Sequence, residues 1–199
     1  MASDAQALPG AARPGGRTAR TRERVLAAVA ALLLDEGYDA LTVDAVAARS
    51  GVHRTTVYRR WRDTGGLLAD SLDAAREQPW EPPDTGTLLG DLTAVNAQIV
   101  AALTGEPSIT RALIAASFRS PAAARALRSF WEERYAAAAV AVERAAGRGE
   151  AAAGVDARTV LIASCAPIFY ELALMRAPAA DDLAERYARA AVAVAAAGP

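Results

Sequence analysis

Apolar residues recur at steps of three and four along nearly the whole chain, and no convincing strand pattern follows the linker near residue 80. Val25, Leu26, Val29, Leu32 and Leu33 share one stripe, which predicts a first helix over about residues 18–36 with Gly37 as its stop. Val43, Val46 and Ala47 give a second, short helix one apolar face; Thr42 can cap it, and Asp44 sits in its first turn, where the helix dipole favours negative charge. Gly51 follows where a bend needs a positive φ. Val52, Val57 and Trp61 then form the inward side of a third helix. Asp63 is placed to cap a fourth, whose Leu67, Leu68 and Leu72 return to the same core. Gly65 and Gly66 are expected to weaken that helix's first turn and let it flex.

Prolines 79, 82 and 83 bracket Trp80 in the stretch EQPWEPPDTG, which reads as a stiff, extended linker and the best domain boundary. Five more helical patterns follow. The fifth, about 87–103, carries Leu88, Leu92, Val95, Ile99 and Ala102. The sixth, about 108–118, carries Ile109, Leu113 and Ala116. The seventh starts at Ser120-Pro121, a cap followed by proline at the first helical position, and runs to near Gly147. An eighth over about 156–176 contains Pro167, and a ninth covers about 180–197. The expected fold is therefore all-α with about nine helices: a helix-turn-helix domain over residues 17–78 and a larger helical domain over 86–199. Residues 1–16, rich in Ala, Gly and Pro without period, are expected to form a disordered arm. Arg13, Arg17, Arg20 and Arg22 lie where this arm meets the first helix, and could enter a minor groove or simply be solvated.

The outward side of the third helix carries Arg54, Thr55, Thr56, Tyr58, Arg59 and Arg60, side chains that donate to phosphate oxygens or meet base edges in a major groove. Charge placement agrees. All 22 basic residues are Arg, and the net charge of the 199-residue chain is only −1. Residues 13–62 nevertheless hold ten Arg against five acids, whereas residues 79–199 hold eleven against thirteen. A locally basic first third is the footprint expected for a polyanionic partner.

Enzyme chemistry finds little support. The single His, His53, lies inside the helix-turn-helix, so it cannot serve Ser164 or the lone Cys165 as a base, and one His with one Cys builds no ordinary zinc site. No glycine-rich loop follows a strand, so no cofactor is expected. One cysteine forbids an intrachain disulfide and suits a reducing cytoplasm. The N-terminal segment has no apolar core of a secretory signal, and the longest uncharged run, Leu92 to Gly105, is too short to cross a bilayer, so no membrane partner is expected.

Residues 18–78, including the text LTVDAVAARSGVHRTTVYRRW, resemble the N-terminal domain of the TetR family of bacterial transcriptional repressors. The glycine-aromatic link after the first helix, the Thr42 start, the Ala47 and Gly51 turn and the Thr-Val-Tyr of the third helix carry the likeness. By that resemblance Thr42 would bond a phosphate, Thr55, Thr56 and Arg59 would face bases, and Tyr58 and Arg60 would grip the backbone. Two positions depart from the family's habit: Trp61 stands for Phe, and Thr64 for a phosphate-binding Lys, a loss that Arg62 could offset. The resemblance further implies a homodimer on a palindromic double-stranded operator, released by a small-molecule effector; the alternative is a small-molecule-binding protein whose DNA head is vestigial.

An effector needs a cavity, and helices six to eight concentrate aromatic residues. Phe118, Trp131, Tyr135 and Phe169 are candidate walls, with Ser164 and Glu171 as polar anchors beside the kink expected at Pro167. Helices eight and nine are the expected dimer surface. Leu161, Ser164, Ile168, Leu172 and Met175 would make one seam, and Leu183, Tyr187, Ala190 and Val194 another.

Overall fold

The computed structural model describes residues 14–197, and these form nine α-helices with no strand among them. Helix α1 (Pro14–Asp35) is followed by a single 3₁₀ turn (Tyr38–Ala40), then α2 (Val43–Ser50), α3 (Arg54–Trp61) and α4 (Thr64–Arg76). After the proline-rich linker come α5 (Leu88–Thr104), α6 (Ile109–Ser117), α7 (Pro121–Gly147), α8 (Ala157–Phe169) and α9 (Leu183–Ala197). The caps explain most starts. Thr42 accepts from the Ala45 amide, Asp63 from Gly66, Thr87 from Gly90, Ser108 from Arg111 and Ser120 from Ala123. Each satisfies an amide that a helix start would otherwise leave unpaired.

Helix α1 begins at Pro14, inside the stretch expected to be an arm; residues 1–13, Arg13 with them, lie outside the described residues. Arg22 is no groove-seeking arginine. It pairs with Asp70 at 2.7 Å and Glu77 at 2.5 Å, holding α1 to α4.

The turn between α2 and α3 is built as the sequence implies. Gly51 closes α2 at φ 63°, ψ 21°, a left-handed conformation that suits glycine. Gly66, at the head of α4, has a second role. A Cβ on Gly66 would fall against the carbonyl oxygen of Trp61, far inside contact distance. Its absence lets α4 start directly against the end of α3, so this glycine permits a close approach.

The first core cluster contains Val25, Val29, Val46, Val57, Trp61 and Leu68, and continues without a break onto Leu113 and Ala116 of α6 and Ala123 of α7. The head therefore rests on the larger domain through shared apolar packing. A second cluster joins Leu88 and Leu92 to Val142, Val160 and the Ala188, Ala191 and Ala195 stripe of α9; a third holds Leu103, Ile168, Leu172 and Leu183. The linker is pinned as well as stiff. Arg144 of α7 pairs with Asp84 at 3.0 Å and donates to the Pro83 carbonyl, while fully buried Asp91 accepts from the amide and hydroxyl of Thr85.

Two expectations for the last helices need correction. The eighth helix is not one α-helix to Arg176. It remains α-helical through Pro167 to Phe169 and then widens into a π-helical turn, Tyr170–Leu174, in which the Met175 amide reaches back five residues to the Tyr170 carbonyl. Pro167 has no N–H to give, so the ladder is already one bond short just upstream. The proposed eighth-helix seam also faces the wrong way for a dimer. Leu161, Ser164, Ile168 and Leu172 are all buried within the chain, packed towards α5 and α9, and only Met175, past the π turn, is exposed. In α9, Leu183 is likewise internal, and only Ala190 and Val194 of that seam are exposed. The stretch Ala157–Leu174 is apolar enough over 18 residues to pass for a membrane span by composition. Here one of its faces is core.

Candidate nucleic-acid interface and ligand cavity

Two regions carry the chemistry, and α4 joins them. The first is α3. Its inward residues, Val57 at 0% and Trp61 at 5% exposure, are locked into the head core, which forces the opposite side outward. Thr55, Tyr58, Arg59 and Arg60 are exposed and Thr56 is half-buried. Thr55, Thr56 and Arg59 fall at i, i+1 and i+4 and so share a face. No carboxylate lies within 4 Å of Arg59 among the described residues. Arg54 is different: its Nε pairs with Asp44 at 2.6 Å and its guanidinium lies 5.2 Å from the Tyr58 ring. The Arg60 guanidinium lies 4.9 Å from the Trp61 ring. Thr42 uses its oxygen to cap α2, which leaves its hydroxyl proton free to donate. Thr64 donates to the Leu41 carbonyl at 3.3 Å, a local bond within the head. His53 touches the Thr55 hydroxyl at 2.9 Å.

The end of α3 is anchored by a polar triad. Trp61 donates its indole N–H to Asp70 of α4 at 2.7 Å, and Arg22 grips the same carboxylate. Burial alone would raise the Asp70 pKa. The hydrogen bonds from Arg22 and Trp61, with the charges of Arg22 and Arg60, outweigh it and hold the carboxyl below its ordinary value. The Arg22 guanidinium is held above its usual range by the hydrogen bonds to Asp70 and Glu77.

The second region is a cavity of about 290 Å³ in the larger domain. Leu72 and Ala75 of α4 form one wall, Asn96 and Ile99 of α5 another, and Leu113 of α6 a third. Helix α7 supplies Phe130, Trp131, Arg134 and Tyr135; α8 supplies Ser164, Cys165 and Phe169; Trp80 of the linker also lines it. Trp131 is the hub, with Phe130 at 5.1 Å and Phe169 at 5.0 Å in edge-to-face contact. Ser164 donates to the Asn96 side-chain oxygen at 3.1 Å, and Asn96 donates to the Ala184 carbonyl, tying α8, α5 and α9 at the cavity wall. Tyr135 meets the Cys165 sulfur at 3.5 Å; burial pushes both the phenol and the thiol upward, so both are neutral hydrogen-bonding groups at neutral pH.

Four of the six expected cavity residues come together here: Trp131, Tyr135, Ser164 and Phe169. Two do not. Phe118 is 78% exposed, because it falls at the end of α6 beyond the last buried turn. Glu171 accepts from the Tyr187 hydroxyl and from Arg186 at 3.1 Å, and so ties the π turn to α9 instead of facing a ligand.

Residues 25–70 match the model of bacterial regulatory proteins of the tetR family, and residues 82–191 match the tetracyclin repressor-like C-terminal domain. The chain is 34% identical over 149 residues to the transcriptional regulator AqdR of Rhodococcus erythropolis, covering 73% of this chain and 71% of that one. The chain belongs to the TetR family. It is therefore a helix-turn-helix transcriptional regulator. A further relative, the regulator YdeS of Bacillus subtilis, is 28% identical over 171 residues, 85% of this chain and 84% of its own. The crystal structure of the TetR-family regulator SCO0332 superposes with a TM-score of 0.65 at 28% identity, covering 88% of this chain and 98% of that one.

Within this TetR-family framework, three residues that the sequence pattern left unmarked matter. Asn96 interrupts the apolar stripe of α5 and is fully buried. Arg134 stands four residues after Phe130 and so shares its face. Trp80 looked like linker, yet its indole donates to Gln98 of α5 at 2.8 Å and reaches the cavity. A polar residue at helical spacing among aromatics was the available signal.

Proposed function

We propose that the protein is a homodimeric repressor that reads a palindromic operator with two copies of α3 and leaves it when a small molecule fills the cavity. The observation that carries this is the shared role of α4. Its Leu67 and Leu68 are core of the DNA-binding head, its Asp70 holds Trp61 at the end of α3, and its Leu72 and Ala75 are cavity wall. At its far end Arg76 pairs with Glu133 of α7. A ligand that fits the cavity better in one setting of α4 than in the other shifts α4, and α4 carries the reading helix. The coupling is a difference in ligand affinity between two settings of α4.

On DNA, Thr55, Thr56 and Arg59 face bases, while Thr42, Tyr58 and Arg60 hold phosphates. Arg54 joins them after giving up Asp44. One head of this size makes few base contacts, so two heads one helical turn apart, or a multiple of it, supply specificity. For the dimer, the outward sides of α8 and α9 are available. Ala166, Tyr170 and Leu174 rise at four-residue steps, with Ala190 and Val194 on α9; Tyr170 and Leu174 are 56% and 66% exposed. A four-helix contact between two copies would cover them. A DNA-binding regulator of this kind acts in the cytoplasm.

The test is selection of bound fragments from a genomic or random pool, followed by footprinting. An inverted repeat protected over both halves is the expected result. Binding with no sequence preference would sink the operator reading and leave a ligand-binding protein with a weak head.

A further inference from the structure

Among the described residues, Arg134 is the one charged side chain lining the aromatic cavity. Its guanidinium carbon lies over two rings, 4.8 Å from the centroid of Trp80 and 5.2 Å from that of Phe130. A cation–π contact consumes no hydrogen-bond acceptor and leaves the N–H donors of the guanidinium to find other partners. No nitrogen of Arg134 makes a hydrogen bond or ion pair to the protein among the described residues. Its neighbours contrast with it. Arg76 of α4 is paired with Glu133, Arg158 of α8 with Glu132, and Arg144 of α7 with Asp84. Burial lowers the Arg134 pKa, and no carboxylate raises it in return. A partly desolvated cation with no counter-ion is costly, and the remaining lining consists mainly of apolar and aromatic side chains with neutral polar groups.

We infer that the cavity takes a flat aromatic anion, its carboxylate held edge-on by Arg134 and its ring system lodged among Trp80, Phe130, Trp131 and Phe169. The carboxylate supplies the missing counter-charge, and the planar fork of the guanidinium matches its two oxygens. The aromatic walls offer edge and face contacts to a ring. The volume, about 290 Å³, suits a bicyclic body and not a long chain. This inference rests on the reading of the cavity as an effector site. It adds the class of ligand and the residue that selects it. It also places the anion beside Trp80, on the linker that leads directly from α4.

The experiment compares 2-naphthoate with 2-naphthamide, the same ring system with and without charge. Two of the protein's three tryptophans, Trp80 and Trp131, line the cavity, so quenching of intrinsic fluorescence reports occupancy, and calorimetry checks it. The full-length protein should bind the carboxylate about tenfold more tightly than the amide, the value of one well-placed charged contact. Arg134→Met and Arg134→Gln should bring the two compounds level by weakening the carboxylate alone. Arg134→Lys, which keeps the charge, should keep part of the preference. Equal binding of both compounds by the unsubstituted protein overturns the inference. So does a preference that survives Arg134→Met, and so does failure of both to bind at millimolar concentration. Release of selected DNA is measured separately. If naphthoate binds through Arg134 yet leaves the DNA complex intact, the anion site stands and the effector reading falls. If both compounds release DNA without preference, the effector reading stands and the anion site falls.

Discussion

Asp70→Ala is the substitution that most directly probes how the reading helix is held. The carboxylate receives the Trp61 indole N–H at 2.7 Å and Arg22 through Nε at 2.9 Å and Nη2 at 2.7 Å. Removing it strands a buried indole donor and one face of an arginine whose side chain is 20% exposed. Hydrogen bonds to charged groups contribute about 1.5–3 kcal/mol, and breaking a buried pair costs about 3–5 kcal/mol. Asp70 is itself about one-fifth exposed and Arg22 keeps Glu77, so water and the second acid recover part of the loss. A destabilisation of about 2–4 kcal/mol follows, or about 5–15 °C in Tm for a chain of this size. Sign matters in the pH dependence. The folded carboxyl titrates below its ordinary value of 3.8, so its contribution is complete at neutral pH and fades as pH falls through the folded value. The gap between the two proteins should therefore be widest near pH 7 and shrink towards pH 3. Thermal and urea unfolding followed by circular dichroism measure it. A gap under about 0.5 kcal/mol at pH 7, or one that is unchanged at pH 3, would refute the triad as the anchor of α3.

Three further outcomes are expected. Gly66→Ala should destabilise the head by about 1–3 kcal/mol, because the added methyl meets the Trp61 carbonyl; urea midpoints check this, and a neutral or stabilising effect would show that α4 can shift freely. Leu174→Glu and Tyr170→Glu place charge on the outward side of the π turn and should turn the proposed dimer into monomer in sedimentation velocity without lowering helix content. Ser164→Ala should leave Asn96 with one polar partner fewer and cost about 1–2 kcal/mol in melting experiments, whether or not a ligand is present.

Much of the head was legible from residue pattern. Thr42, Asp63 and Ser120 cap the helices they were expected to cap, and Gly51 takes the left-handed conformation its position required. Local chemistry determines these features, so local sequence reveals them. The cavity was harder. Trp131, Tyr135, Ser164 and Phe169 meet because α7 and α8 pack against each other, yet Phe118 and Glu171, expected beside them, end up elsewhere. Which aromatic faces inward depends on where a helix stops and how it is turned, and the π turn after Phe169 rotates everything beyond it. The seam on α8 failed for a related reason. A stripe of apolar residues shows that a helix has a buried side, but it cannot distinguish burial within a subunit from burial between two. Leu161, Ile168 and Leu172 are the former.

The proposed regulatory function depends on the outward side of α3 meeting DNA. The most direct measurement is the affinity of the intact protein and of Arg59→Ala for a sequence selected from a random pool, alongside a scrambled sequence of equal length and at fixed salt. A loss of about 1–3 kcal/mol on the selected sequence, with relaxed preference at one base position in each half-site and little change on the scrambled one, is the predicted result. An equal loss on both sequences, or none, would contradict base reading by this helix.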